Sequence, residues 1–246
     1  MRWMNLAILA LITCTPGWPQ DRLTSAAAVL EKYQKALGGV DAIRNVQSET
    51  RRGEFEASGR EGKATFVAYA RPFKSLQVVT WPDGRKVTSG FDGRVSWTVT
   101  AQGASIDKAT PLEALRRDAD LQYPLHQPDY FRNLELAGVV DFEARQCYWL
   151  HGTTRWGKDN NQFYDVQTGL LAGYRFQSDT SSAAGTTTMV FQDHKSFGGP
   201  LVATKVVSRS GDRIQTITFT SVSYAPLADS VFELPKAVQV VLDGAK

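Results

Sequence analysis

The residues that announce most chemistry are scarce in this chain. Among 246 residues there are two cysteines, Cys14 and Cys147, and three histidines. If Cys14 leaves with an N-terminal leader, no internal disulfide can form, and an exported domain must rely on its apolar core. The same scarcity sets aside a thiolate metal centre. His126, His151 and His194 make neither a His-x-x-x-His pair for a helix nor a His-x-His pair for a strand, so no metal site is expected. Gly-x-Ser-x-Gly, the P-loop and the dinucleotide fingerprint are all missing, and no cofactor is expected. Charge in excess is missing too. Lys and Arg total 28 against 25 Asp and Glu, a net of +3 that is too mild for a nucleic-acid partner.

Long apolar runs are also lacking, and the exception lies at the start. Arg2 precedes "LAILALITC" (6–14), which is too short to cross a bilayer, and Pro16, Gly17 and Pro19 then break any helix. Residues 1–20 read as a signal peptide with cleavage near 17–20, where Thr15 and Gly17 are suitably small. The competing reading is a lipobox, "LITC", which would make Cys14 a lipidated first residue. The product is expected to be periplasmic or secreted, with no transmembrane span in the mature chain. A lipid on Cys14 would anchor it to the outer membrane. Residues 21–246 show no proline-rich linker, low-complexity tract or composition break, and are expected to form one domain.

What the chain does have is alternation. "TSAAAVLEKYQKALGG" spaces Ala26, Val29, Leu30, Tyr33, Ala36 and Leu37 along one helical stripe. Thr24 or Ser25 can cap its start, and Gly38-Gly39 stops it. "VDAIRNV" adds a short helical turn. From Ser48 the period becomes two, in "SETRRGEFEA", "KATFVAYA", "FKSLQVVTW", "RKVTSGF" and "VSWTVTA". The alternation lapses between 110 and 134, where Thr110, Pro111 and Glu113 resemble a helix start and two short helices are expected near 111–121 and 128–134. It resumes in "RQCYWLHGT", "NQFYDV", "LLAGYRFQS", "TTTMVFQDH", "LVATKVVSRS" and "RIQTITFTSVSY". "PLADSVFELP" ends the pattern as a helical turn feeding a strand remnant. The predicted fold is mainly β (α+β): one large curved antiparallel sheet of about eleven strands, a half-open barrel around the N-terminal helix and the helical insertion.

Few residues invite a catalytic reading. Glu54 and Glu56 flank Phe55 on the opposite face and read as a solvated pair beside Arg51 and Arg52. Asp92-Gly93 in "GFDGRVSWTV" is a hairpin signal, so the aspartate's expected task is the turn. The aromatics are more informative, being spread over nearly every strand. Phe55, Tyr69, Phe73, Val79, Trp97 and Val99 in the first meander are candidates for the lining of a concave apolar face. So are Tyr148, Leu150, Phe163, Tyr174, Phe176, Phe191 and Phe219 in the second. Trp97 is expected to point into that face.

Several stretches together resemble one superfamily. "EKYQKALGGVDAIRNVQSETRRGEF", "GFDGRVSW", "FYDVQTGLLAGYRF", "GGPLVATKVV" and "SVSYAPLADSVFELP" are similar, in order and spacing, to periplasmic lipoprotein carriers and outer-membrane lipoprotein-sorting proteins of the LolA/LolB-like fold. The resemblance implies a half-open barrel with an apolar cavity for acyl chains, and a lipid or acylated protein as ligand. From the dedicated carriers it also implies a barrel arginine coupled to helix backbone, for which Arg51, Arg52 and Arg71 are candidates. The receptor member's firm lipobox and exposed apolar loop are not evident here. A second reading is an envelope sensor signalling to a protein partner, as related folds do. A third is a hydrolase using Asp92, Asp165 or Glu54.

Overall fold

The computed structural model describes residues 23–177 and 185–244. The leader, its cleavage site and Cys14 lie outside the described residues. Helix α1 (Ala26–Ala36) begins where the Ser25 hydroxyl accepts the Ala28 N–H at 3.2 Å. It ends at Gly38 and Gly39, whose φ values of 114° and 94° suit residues without a β-carbon. After α2 (Val40–Arg44) come β1 (Glu49–Ala57), β2 (Ala64–Arg71), β3 (Lys74–Thr80), β4 (Lys86–Phe91), β5 (Ser96–Thr100) and β6 (Gly103–Asp107). The insertion follows as α3 (Leu112–Asp118), α4 (Tyr123–His126) and a 3-10 turn (Gln127–Tyr130). The second meander is β7 (Phe131–Phe142), β8 (Arg145–Thr154), β9 (Asp159–Asp165), β10 (Leu171–Gln177), β11 (Thr186–Lys195), β12 (Val202–Ser210) and β13 (Arg213–Ser223). A 3-10 turn (Asp229–Phe232) and α5 (Lys236–Asp243) close the described chain.

All thirteen strands belong to one antiparallel sheet, in the order β6-β5-β4-β3-β2-β1-β13-β12-β11-β10-β9-β8-β7. β1 pairs with β13 and so welds the two meanders together, while β6 and β7 stay apart at the edges. The sheet is therefore not closed, as expected of a half-open barrel. Its connection between the two edges is the helical insertion.

Register decides which face each side chain takes. Glu49 and Arg51 stand opposite Ala70 and Ala68, which stand opposite Ser75 and Gln77. On the far side of β1, Phe55 stands opposite Ile217, which stands opposite Val206, and Val206 opposite Phe191. These residues share the inner face, which carries α1. There Val29 and Leu30 pack on Tyr148, Leu150, Tyr164 and Leu171. The outer face has a smaller core of Phe142, Cys147, Phe163, Ala172, Val190 and Val207, with Phe142 and Phe163 stacked 4.1 Å apart.

Several expectations shift in detail. β6 and β7 raise the strand number to thirteen. The first is only five residues long, and bulges at 131–133 and 136–138 disturb the alternation of the second. The second insertion helix lies at 123–126, ahead of the expected 128–134, because Pro124 starts it and residues 131–142 are claimed by pairing with β8. Thr110 does not cap α3; Asp107 Oδ1 takes the N–H groups of Ala109 and Thr110, and the helix starts after Pro111. The terminal strand remnant is α5, which packs on β5 and β6. Register, with Trp97 opposite Gly90 and Gly90 opposite Leu76, turns Trp97 to the outer face, contrary to the expected inward direction. The Trp97 ring lies across Gly90, where an added β-carbon would meet it at 2.6 Å. Its half-buried partner Ile106 shares that face.

Leu150 is fully buried beneath α1, whereas Val240 on α5 is 70% exposed. Leu150→Ala should cost about 2–5 kcal/mol of unfolding free energy, and Val240→Ala should stay within about 0.5 kcal/mol. Urea denaturation followed by far-UV circular dichroism measures both.

Candidate functional site

Between the inner face and the helices lies a cavity of about 430 Å³, inside the range of about 300–1,000 Å³ typical of small-molecule sites. The sheet supplies Ala68, Ala70, Leu171, Phe191, Val202, Val206, Ile217 and Phe219 as apolar wall. The helices and the turns that follow them supply Tyr33, Leu37, Ile43, Val46, Ala119, Leu121 and Pro124 as roof. Sequence forces this arrangement locally. The alternation of β12 and β13 sends Val202, Val206, Ile217 and Phe219 inward, and the stripe of α1 brings Tyr33 and Leu37 over them.

The roof is tied down by polar contacts. Gln34 Nε2 donates to the Pro124 carbonyl at 2.8 Å, and Gln122 Nε2 to the Arg44 carbonyl at 2.8 Å. The Phe73 N–H donates to the Ala119 carbonyl at 3.0 Å. Beneath α4, the buried Gln127 donates to Gln162 Oε1 and to Tyr164 Oη. Tyr164 Oη in turn donates to Gln162 Oε1 at 2.8 Å. Burial drives the Tyr33, Tyr164 and Tyr174 phenols well up, and Tyr123 to about 12, so these hydroxyls remain protonated donors.

Charge enters the wall at one end. Glu49 is 7% exposed and is held by Arg51, Nε to Oε1 at 2.5 Å and Nη2 to Oε2 at 3.1 Å. The Arg51 guanidinium carbon also sits 5.2 Å from the Phe219 ring centroid. Tyr224 borders the same end, packed so closely on Gly199 that a β-carbon there would meet its ring at 2.5 Å. Its hydroxyl is buried and has no hydrogen-bond partner among the described residues. Of the arginines singled out from sequence, Arg51 alone lines the cavity. Arg71 instead holds Asp229 and the Leu227 carbonyl in the C-terminal tail.

The lining candidates divide by face. Tyr174, Phe191 and Phe219 line the cavity. Phe55, Val79 and Phe176 are on the inner face beyond it, and Tyr148 and Leu150 are occupied by α1. Phe163, Trp97 and Val99 take the outer face, and Phe73 is 41% exposed at a turn with φ 59°. Tyr69 borders the cavity, although its register is opposite to that of Ala68 and Ala70. Leu171, Val202, Val206, Ile217 and Glu49 lie in runs whose alternation does not state which face is inward; the register of β1 against β13 is what brings Ile217, and through it Val206, onto the face of the Glu49–Arg51 pair.

The candidate carboxylates have structural tasks. Asp92 Oδ1 accepts the Arg94 and Val95 N–H groups at 2.8 Å, closing the hairpin with Gly93 at φ 102°. Asp165 does the same for Gln167 and Thr168. Glu54 and Glu56 are half-buried and share Lys63. The histidines are dispersed: His126 on Asp120, His151 on Asn161, and His194 at the cavity. Among the described residues no group of three or more His, Cys, Asp and Glu side chains could hold a metal ion, and no helix is long and apolar enough to cross a membrane. Burial pushes the Cys147 thiol up to about 11.

No protein-family model and no curated protein sequence matches this chain. Solved structures do. A DUF1329 family protein from Desulfovibrio piger matches with a TM-score of 0.58 and 15% identity, over 84% of this chain and 96% of that one. A LolA superfamily protein from Nitrosomonas europaea matches with a TM-score of 0.57 and 12% identity, over 87% and 99%. A domain described as an outer membrane lipoprotein-sorting protein domain, from Vibrio parahaemolyticus, gives 0.56 and 8%, over 83% and 95%. The resemblance seen in the sequence is thus borne out as a likeness of fold.

Burial, and secondarily the Arg145 guanidinium, hold the His194 imidazole below its usual range. The unfolded chain therefore binds more protons than the folded one as pH falls below about 6.5. His194 should contribute stability above that pH and lose it on acidification. Urea midpoints at pH 7 and pH 5 should differ less for His194→Gln than for the wild type.

Proposed function

We propose that this protein is an exported, non-catalytic binder of a lipid or acylated ligand, held in the cavity between the inner face and the helices. The observation that carries the reading is the cavity itself, walled by Leu171, Phe191, Val202, Val206 and Ile217 and roofed by α1 and the insertion. Removing an acyl chain from water is worth roughly 0.8 kcal/mol per methylene, and a preformed apolar wall captures that gain without any reaction. The fold shared with a LolA superfamily protein and with a lipoprotein-sorting domain supports the same role. It also supports a place in the bacterial envelope, periplasmic or tethered through Cys14, in lipoprotein sorting or lipid transport. The structural tasks of Asp92, Asp165 and Glu54 favour this reading over a carboxylate hydrolase.

Native protein extracted with solvent should release lipid, and an emptied sample should bind a fluorescent acyl probe. Val206→Asp, which places a charge in the wall, should weaken probe binding by about tenfold or more. Absence of both lipid and probe binding contradicts the reading.

A further inference from the structure

Charge in the cavity wall points to the kind of head group the ligand carries. Among the described residues three carboxylates border the cavity, Glu49, Asp118 and Asp120, together with a single arginine or lysine, Arg51. Asp118 accepts from Arg117 Nη2 at 2.7 Å. Asp120 accepts from Tyr130 Oη at 2.8 Å and pairs with His126 Nδ1 at 2.9 Å. His194, the remaining titratable nitrogen at the wall, is held toward its neutral form by burial. Arg51 spends Nε and Nη2 on Glu49. Among the described residues the wall therefore offers an incoming anion no cation that is free of a carboxylate. A fatty carboxylate would have to displace Glu49 from Arg51 and leave one of two buried carboxylates without its counter-ion.

The same end of the cavity is well equipped for uncharged polar groups. Tyr224 Oη is buried without a partner, and Arg51 Nη1 takes no part in the Glu49 pair. An ester or amide carbonyl can accept from either while the ion pair stays intact, and relieves the orphaned hydroxyl.

We infer that the cavity selects amphiphiles with an uncharged, hydrogen-bonding head group over free fatty acids, and that Glu49 sets this selection. The inference rests on the acyl-binding reading above and names the ligand class within it. Glu49 acts by neutralising Arg51, and so excludes a competing carboxylate from the guanidinium.

Displacement of a fluorescent acyl probe from the mature chain at pH 7.5 tests this, with a 1-monoacylglycerol, a fatty acid and an alkylamine of equal chain length. Wild-type protein should bind the monoacylglycerol about tenfold or more tightly than the acid, and more tightly than the amine. Glu49→Gln keeps the side-chain shape, frees the charge of Arg51, and should shift the preference toward the acid, relative to the monoacylglycerol, by about tenfold or more. Thermal melts establish that the variant is folded, and the wild-type ratio tests the selection without any substitution. Equal binding of acid and monoacylglycerol, tighter binding of the amine, or a folded Glu49→Gln with unchanged preference overturns the selection but leaves acyl binding standing. Failure of the probe itself to bind overturns the acyl-binding reading instead.

Discussion

The pairing of β1 with β13 is the constraint on which the rest of the molecule depends. Each meander alone is a curved ribbon with one bare edge, and only this seam makes them a single sheet. Gly53 permits the seam. The register shifts between Arg52 and Gly53, and there the Thr218 carbonyl approaches so closely that a β-carbon on residue 53 would lie 2.0 Å from its oxygen. The extra residue on β13 keeps Arg51 and Phe219 on the same face across the shift. Without it, the charged end of the cavity and its apolar wall would fall on opposite sides of the sheet.

Once the seam is fixed, the two faces acquire different tasks. The inner face must be covered, and α1 covers part of it with Val29 and Leu30. The insertion supplies the remaining cover without packing flat, and the space left is the cavity. The outer face solves its own exposure piecemeal. β7 curls Phe142 onto Phe163, and the C-terminal tail crosses the other wing to bury Phe232, Val238 and Trp97. These outer apolar residues are thus buried by the fold, whereas Phe191, Val206 and Ile217 on the inner face border open space.

Period and punctuation made much of this legible. Eleven of the thirteen strands, α1 with its Gly-Gly stop, the Asp92 hairpin and the open-barrel architecture follow from alternation, capping and turn chemistry read along the chain. What was illegible is phase. Trp97 and Phe163 sit in clean alternating runs, yet nothing local states which of two faces is inward. That depends on partners such as Gly90 and Gly173, and on bulges that a period-two pattern does not announce. The Glu49–Arg51 pair was hidden for a related reason. An i, i+2 charge pair reads as a solvated strand face until the seam places α1 and Tyr224 over it.

The central claim is that the cavity is a ligand chamber rather than leftover space beneath the helices. Diffraction from crystals grown with a terminally brominated monoacylglycerol tests it most directly. Anomalous bromine density is predicted within the chamber, between Phe191, Val206 and Ile217, with the head group near Tyr224 and Arg51. Density confined to the outer face, or a chamber closed by α1 and the insertion with bromine absent, would contradict the account.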